Sequence, residues 1–112
     1  MATTGAFAPH QQLTYLIGNA AAVQIPTQSS GAAITSYRVS NVLATRQYLT
    51  WAANTATGSA PTISAAAPTN GAPATNTMGM PGGAIEVFMF PANAWFIANA
   101  AGAFEITPGD GV

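Results

Sequence analysis

The stretch ITSYRVSNV, residues 34–42, alternates: Tyr37 and Val39 fall on one side, and Ser36, Arg38 and Ser40 on the other. A period of two is the pattern of a strand with one buried face. RQYLTWA, residues 46–52, alternates again. Gln47, Leu49 and Trp51 share one face, with Arg46, Tyr48 and Thr50 opposite. The short link Leu43-Ala44-Thr45 between the two runs predicts a hairpin. In IEVFMFP, residues 85–91, Ile85, Val87 and Met89 form one face and Glu86, Phe88 and Phe90 the other. AWFIA (94–98) and AFEIT (103–107) follow after short turns, and Phe104 and Ile106 share a face opposite Glu105. These last three runs read as an antiparallel meander. LTYLI (13–17) is rich in strand formers and ends on the turn signal Gly18-Asn19. AAVQIP (21–26) is a shorter strand closed by proline.

Two stretches lack this periodicity. Residues 1–12 read as a flexible arm whose apolar anchors are Phe7 and Leu13. Residues 53–83 are Ala, Thr, Pro, Asn and Gly, broken by Pro61, Pro68, Pro73 and Pro81. They read as one long loop, either an interaction segment or a surface insertion, with a brief strand over 62–65. No window gives a long amphipathic helix. Short strands between Gly/Pro turns predict an all-β, antiparallel β-sandwich, with a jelly roll as the preferred architecture. The expected organisation is the arm, 1–12, and a single domain, 13–112, carrying the loop 53–83.

Composition changes the picture more than pattern does. Only 4% of the 112 residues are charged, against about 25% in an ordinary soluble domain. There is no lysine, and the ionisable groups are Arg38, Arg46, Glu86, Glu105, Asp110 and His10. Two arginines cannot neutralise a run of phosphates, which excludes a nucleic-acid binder. A basic face for a membrane surface is missing, as is an apolar run of the ~20 residues that span one. The start of the chain has no positive region and does not read as a secretory signal. Without cysteine there is no disulfide framework, and the redox compartment stays open. A surface of Ser, Thr, Asn, Gln, Ala and Gly suits a subunit largely covered in an assembly. The plainer reading is a small domain with neutral polar cover.

Candidate chemistry is sparse. His10 lies in the arm, where nothing positions it as a base. Glu86 and Glu105 are the carboxylate pair a glycosidase would need, but each sits on a strand opposite apolar neighbours, where a solvated or arginine-paired glutamate is the commoner role. Metal ligands are not clustered, and Gly82-Gly83 is followed by no lysine and no helix, so it is no phosphate loop. The sequence therefore predicts no enzyme, no cofactor and no metal. Trp51, Trp95, Tyr48 and Tyr37 are rings able to stack on a sugar, although both tryptophans read as core. If Leu49, Trp51, Ile85 and Val87 fill the core, the second face carries Arg46, Tyr48, Glu86, Phe88 and Phe90. Those residue types are enriched in interfaces. With Phe7 and Leu13 they form the predicted protein-binding surface. The alternative is that both faces are core.

The runs SYRVSNV…RQYLTWA, MPGGAIEVFMFP and FIANAAGAFEITPGDGV resemble a pattern in small virion proteins of tailed bacteriophages. Its parts are an R-V-x-N strand (Arg38 to Asn41), a P-G-x-x-E-V-F strand (Pro81 to Phe88, here with one more residue before Glu86) and an I-T-P-G-[DE]-G ending (Ile106 to Gly111). The match spans about two thirds of the chain, from Ser36 onward. The resemblance implies a capsid cement, or decoration, protein similar to the jelly-roll cement proteins of Bordetella-type phages. It implies a place on the outer capsid surface of a virion, synthesis in the host cytoplasm and the major capsid protein as partner. Self-association as a homodimer is expected with it. The second function class is a receptor- or glycan-binding module of a tail or head fibre. A small hydrolase acting through Glu86 or Glu105 is the third.

Overall fold

The computed structural model describes residues 8–9, 14–25, 36–55, 59–91 and 93–110. Among them are nine strands and no helix. They are β1 (Ala8–Pro9), β2 (Tyr15–Ile17), β3 (Val23–Gln24), β4 (Ser36–Asn41), β5 (Gln47–Ala52), β6 (Thr77–Met80), β7 (Ile85–Phe88), β8 (Trp95–Ala98) and β9 (Phe104–Asp110). Every pairing is antiparallel. In the first sheet β9 pairs with β4, and β4 with β7. The other edge of β9 is shared by β2, against residues 104–106, and β1, against 109–110. Pro108 lies at the break between those two partners, where a residue without an N–H is tolerated. The second sheet runs β3-β8-β5-β6. The protein is thus an all-β antiparallel sandwich.

The register shows which side of each strand is inward. Val39 faces Ile106, and Ile17 and Asn41 both face Phe104; all five are fully buried. From the second sheet Leu49, Met80, Phe96 and Ala98 meet them. Phe90 closes one end of this core. Its ring centroid is 5.0 Å from Phe96 and 5.4 Å from both Tyr37 and Trp51. Such aromatic pairs add about 0.5–1.5 kcal/mol each beyond area burial. Burial pushes the Tyr37 phenol above its ordinary pKa, so it stays neutral and donates a long 3.5 Å hydrogen bond to the Pro91 carbonyl.

Several sequence expectations are corrected here. β4 and β5 are not a hairpin: β4 belongs to the first sheet and β5 to the second. Residues 42–46 instead cross from one sheet to the other. The three last strands are not a meander, since β7 and β9 flank β4 in the first sheet while β8 lies between β3 and β5 in the second. Short links had suggested local pairing, but a short link also suffices to step between stacked sheets about 10 Å apart. The segment 53–83 is not wholly loop, because it contains β6. No strand forms over 62–65, although exposure alternates along 61–65. Ala8–Pro9, within the stretch read as a free arm, is paired to β9.

One buried side chain ties the crossing corner together. Asn41 ends β4 and is fully buried. Its Nδ2 donates to the carbonyl oxygens of Thr45, Met80 and Pro81 at 2.9–3.0 Å. Its Oδ1 accepts from the Leu43 N–H at 3.0 Å. The 42–46 crossing and the 81–84 crossing are both anchored on this amide, which fixes where two strands change sheets.

Candidate docking face

The described residues predicted to share a protein-binding surface do not all meet. Arg46 and Tyr48 belong to the outer side of the second sheet. The Arg46 guanidinium carbon lies 6.0 Å from the Tyr48 ring centroid, and both side chains rest over Gly79, the partner of Tyr48 on β6. A Cβ at Gly79 would meet Tyr48 Cε1 at 2.8 Å and Arg46 Nε at 3.0 Å. The methyl-free position in β6 is the seat of this pair, as close approach to a strand glycine often is. Gly79→Ala is expected to cost roughly 1–2 kcal/mol in chemical denaturation, because only side chains must give way. An unchanged midpoint would show that the pair is not seated there.

Phe88 and Phe90 are corrected outright. Phe88 stands opposite the buried Tyr37, and both phenylalanines pack against the core. The face assignment of the 85–91 run is inverted: Ile85 and Met89 point outward, 52% and 77% exposed. Alternation could not decide this, since both faces of that run carry large apolar side chains. Glu86 is exposed. It stands opposite Val39 on the inward side of β7, an edge strand where an inward-turned charge discourages further pairing. Trp51 packs against the core as expected. Trp95 does not: its register partners Ala52 and Gln24 put it on the opposite side from Phe96. Its buried Nε1 has no hydrogen-bond partner among the described residues. Phe7 and Leu13 lie outside the described residues.

The two outer faces differ. On the second sheet, Thr50 and Ile97 are opposite one another and point outward, yet both are buried. Ile63, Ser64 and Ala66 border a groove of ≈ 350 Å³ with Thr50 and Ala52, so the irregular segment lies over this side. Beneath it, Thr50 Oγ1 and Thr77 Oγ1 are hydrogen-bonded at 2.6 Å.

The first sheet has no such cover among the described residues. Its register sets Leu16, Glu105, Ser40 and Ile85 in one outward row across β2, β9, β4 and β7. The next row holds Thr107, Arg38 and Val87. Val42 and Met89 continue the outward alternation of β4 and β7. All the large hydrophobics that are exposed among the described residues, Leu16, Val42, Ile85 and Met89, therefore lie on this one side. Two opposite charges sit within the patch. Arg38 and Glu105 are exposed diagonal neighbours on adjacent strands, and no ion pair joins them. A hollow of ≈ 290 Å³ opens between them, lined by Thr14, Arg38, Ser40, Ile85, Glu105 and Thr107.

The two candidate carboxylates lie apart. Glu86 and Glu105 stand opposite Val39 and Ser40, consecutive residues of β4 that point to opposite sides of the sheet. They do not form a carboxylate pair. Among the described residues no group of three or more His, Cys, Asp or Glu is placed to hold a metal. Among the described residues no helix is long and apolar enough to cross a membrane. No family model, curated protein or solved structure matches the chain.

Sequence reasoning missed Leu16, Val42, Ile85 and Met89 as a group. The usable signal was in β4, where Arg38 and Ser40 mark the wet side. Carrying that side across to β2 and β7 needed the pairing.

Proposed function

We propose that this is a non-enzymatic structural subunit, a capsid cement protein. It binds the major capsid protein on the outer surface of a phage virion and joins neighbouring capsomers. It also self-associates as a homodimer. The observation that carries the reading is the collection of exposed large hydrophobics on one sheet face that no other described segment covers, in a chain almost without charge. An apolar patch left wet is a liability in a free monomer and an asset in an assembly. The kind of assembly comes from the resemblance of the 36–52, 80–91 and 96–112 stretches to virion proteins. Strand order supports it as well. We read β2-β9-β4-β7 against β3-β8-β5-β6 as the interleaving of an eight-stranded jelly roll.

The capsid contact in this reading is the Arg46–Tyr48 pair on the outer side of the second sheet, a partly exposed ring and guanidinium of the types that dominate interfaces. Many copies, each with a modest contact, hold a shell by avidity. Co-sedimentation of the purified protein with capsids that lack it is expected to be saturable, and to raise the temperature at which the shells break. Tyr48→Glu is expected to abolish co-sedimentation while the circular dichroism spectrum stays unchanged. A folded wild-type protein that never pellets with capsids would overturn the reading. The fibre module would then be tested on a glycan array.

A further inference from the structure

The bare face of the first sheet is self-complementary. Among the described residues it holds one cation and one anion, Arg38 on β4 and Glu105 on β9, diagonal to each other and not ion-paired. Around them lie Leu16, Ile85 and Met89. We infer that this face is the homodimer interface. A second copy packs sheet to sheet upon it about a two-fold axis, with Arg38 of each copy meeting Glu105 of the other. This deepens the reading of a self-associating subunit and needs nothing from its capsid part.

The occupant follows from the charges. An isologous contact places the same patch on both partners, so every group must find its complement within that patch. A patch with one Arg and one Glu satisfies the condition twice, and leaves no charge buried without a partner. A partner of different surface would have to supply an unrelated carboxylate and guanidinium at the same diagonal spacing. The axis that exchanges the two charges lies in the plane of contact, perpendicular to the Arg38–Glu105 diagonal. With strands ~4.8 Å apart and alternate residues ~6.8 Å apart along them, Ile85 falls within about 2 Å of that axis. Ile85 therefore packs against its own copy at the centre of the apolar contact. The hollow between the charges gives room for the incoming long side chains of the second copy.

The geometry permits a test in which two broken proteins repair each other. Arg38→Glu gives a face with two anions, and Glu105→Arg a face with two cations. Each variant alone sets like charges against like in both contacts, and its dimer dissociation constant is expected to rise at least tenfold. Mixed in equal amounts, the two restore both opposite-charge contacts. Sedimentation velocity is expected to show the wild type as a dimer, each variant as a monomer at the same concentration, and the mixture as a heterodimer. Both substituted positions are exposed, and circular dichroism establishes that each variant is folded. A mixture of folded variants that stays monomeric, or single variants that dimerise as the wild type does, overturns the inference. A wild type that stays monomeric yet saturates capsids overturns it too, and leaves the capsid reading standing. A heterodimer that does not bind capsids upholds it and removes the capsid reading.

Discussion

Asn41→Ala is expected to lower the unfolding free energy by about 3–4 kcal/mol, given about 1–3 kcal/mol for each buried polar group left unsatisfied. The Asn41 amide serves the carbonyl oxygens of Thr45, Met80 and Pro81 and the N–H of Leu43. Alanine removes all four interactions and adds a small cavity in a fully buried position. Not all of these groups lose everything, because the crossing segments lie near the surface and some carbonyls regain water. For a domain of this size the loss corresponds to a fall in melting temperature of more than about 10 °C. Asn41→Asp is expected to be no better. Its carboxylate keeps the shape but has no donor, and turns negative charge toward three carbonyl oxygens. Urea unfolding of both variants is the measurement. A change below about 1 kcal/mol for Asn41→Ala, within the range of an ordinary surface substitution, would show that backbone contacts alone hold the corner.

Gly82→Ala acts on the same corner from the other side, by steric overlap. A Cβ at Gly82 would overlap the Ala44 carbonyl group and lie 2.8 Å from the Thr45 nitrogen. These are backbone atoms of the opposite crossing, and they cannot rotate away as a side chain can. The cost is expected to reach or exceed about 3 kcal/mol, the upper end of overpacking, with impaired folding at 37 °C. Gly71→Ala is the control. Gly71 has φ +76° but nothing within 4 Å of its would-be Cβ, so only the strain of a left-handed alanine, about 1 kcal/mol, is expected. If the two variants melt together, close approach of the crossings is not what requires glycine at position 82.

Most of the longer strands were legible in the sequence. Alternation in 34–42 and 46–52 locates β4 and β5, and Tyr37, Val39 and Leu49 are buried as their periodicity required. Partners were not legible, because pairing is set by residues far apart in the chain. β4 lies between β7 and β9, and no feature of SYRVSN announces IEVF or FEITPGD as neighbours. β6 was invisible because its TMGM carries a glycine. That glycine is explained only by Tyr48 and Arg46 lying across it. The docking face failed for a related reason. Phe88 looked like an interface aromatic and Ile85 like a core aliphatic, and the sandwich uses them the other way round. Ring size filled the gap at Phe90, where Tyr37, Trp51 and Phe96 converge.

The position of β9 bears on how the chain is made. It follows β2, β4 and β7 in sequence, yet it is the strand between β2 and β4. Only one hydrogen-bonded pair of described strands, β5 and β6, is consecutive in the chain, and the irregular segment separates even those two. No two of the described strands are joined by a tight hairpin turn, which is the regime of slow, non-local folding. During translation the first sheet has no centre until residues 104–110 have left the ribosome. Until then β2 and β4 present open edges, the kind that pair with other nascent chains. Closure of the first sheet therefore waits on residues 104–110, whatever has folded before them. The faster that step is completed, the shorter the time in which such edges can find each other.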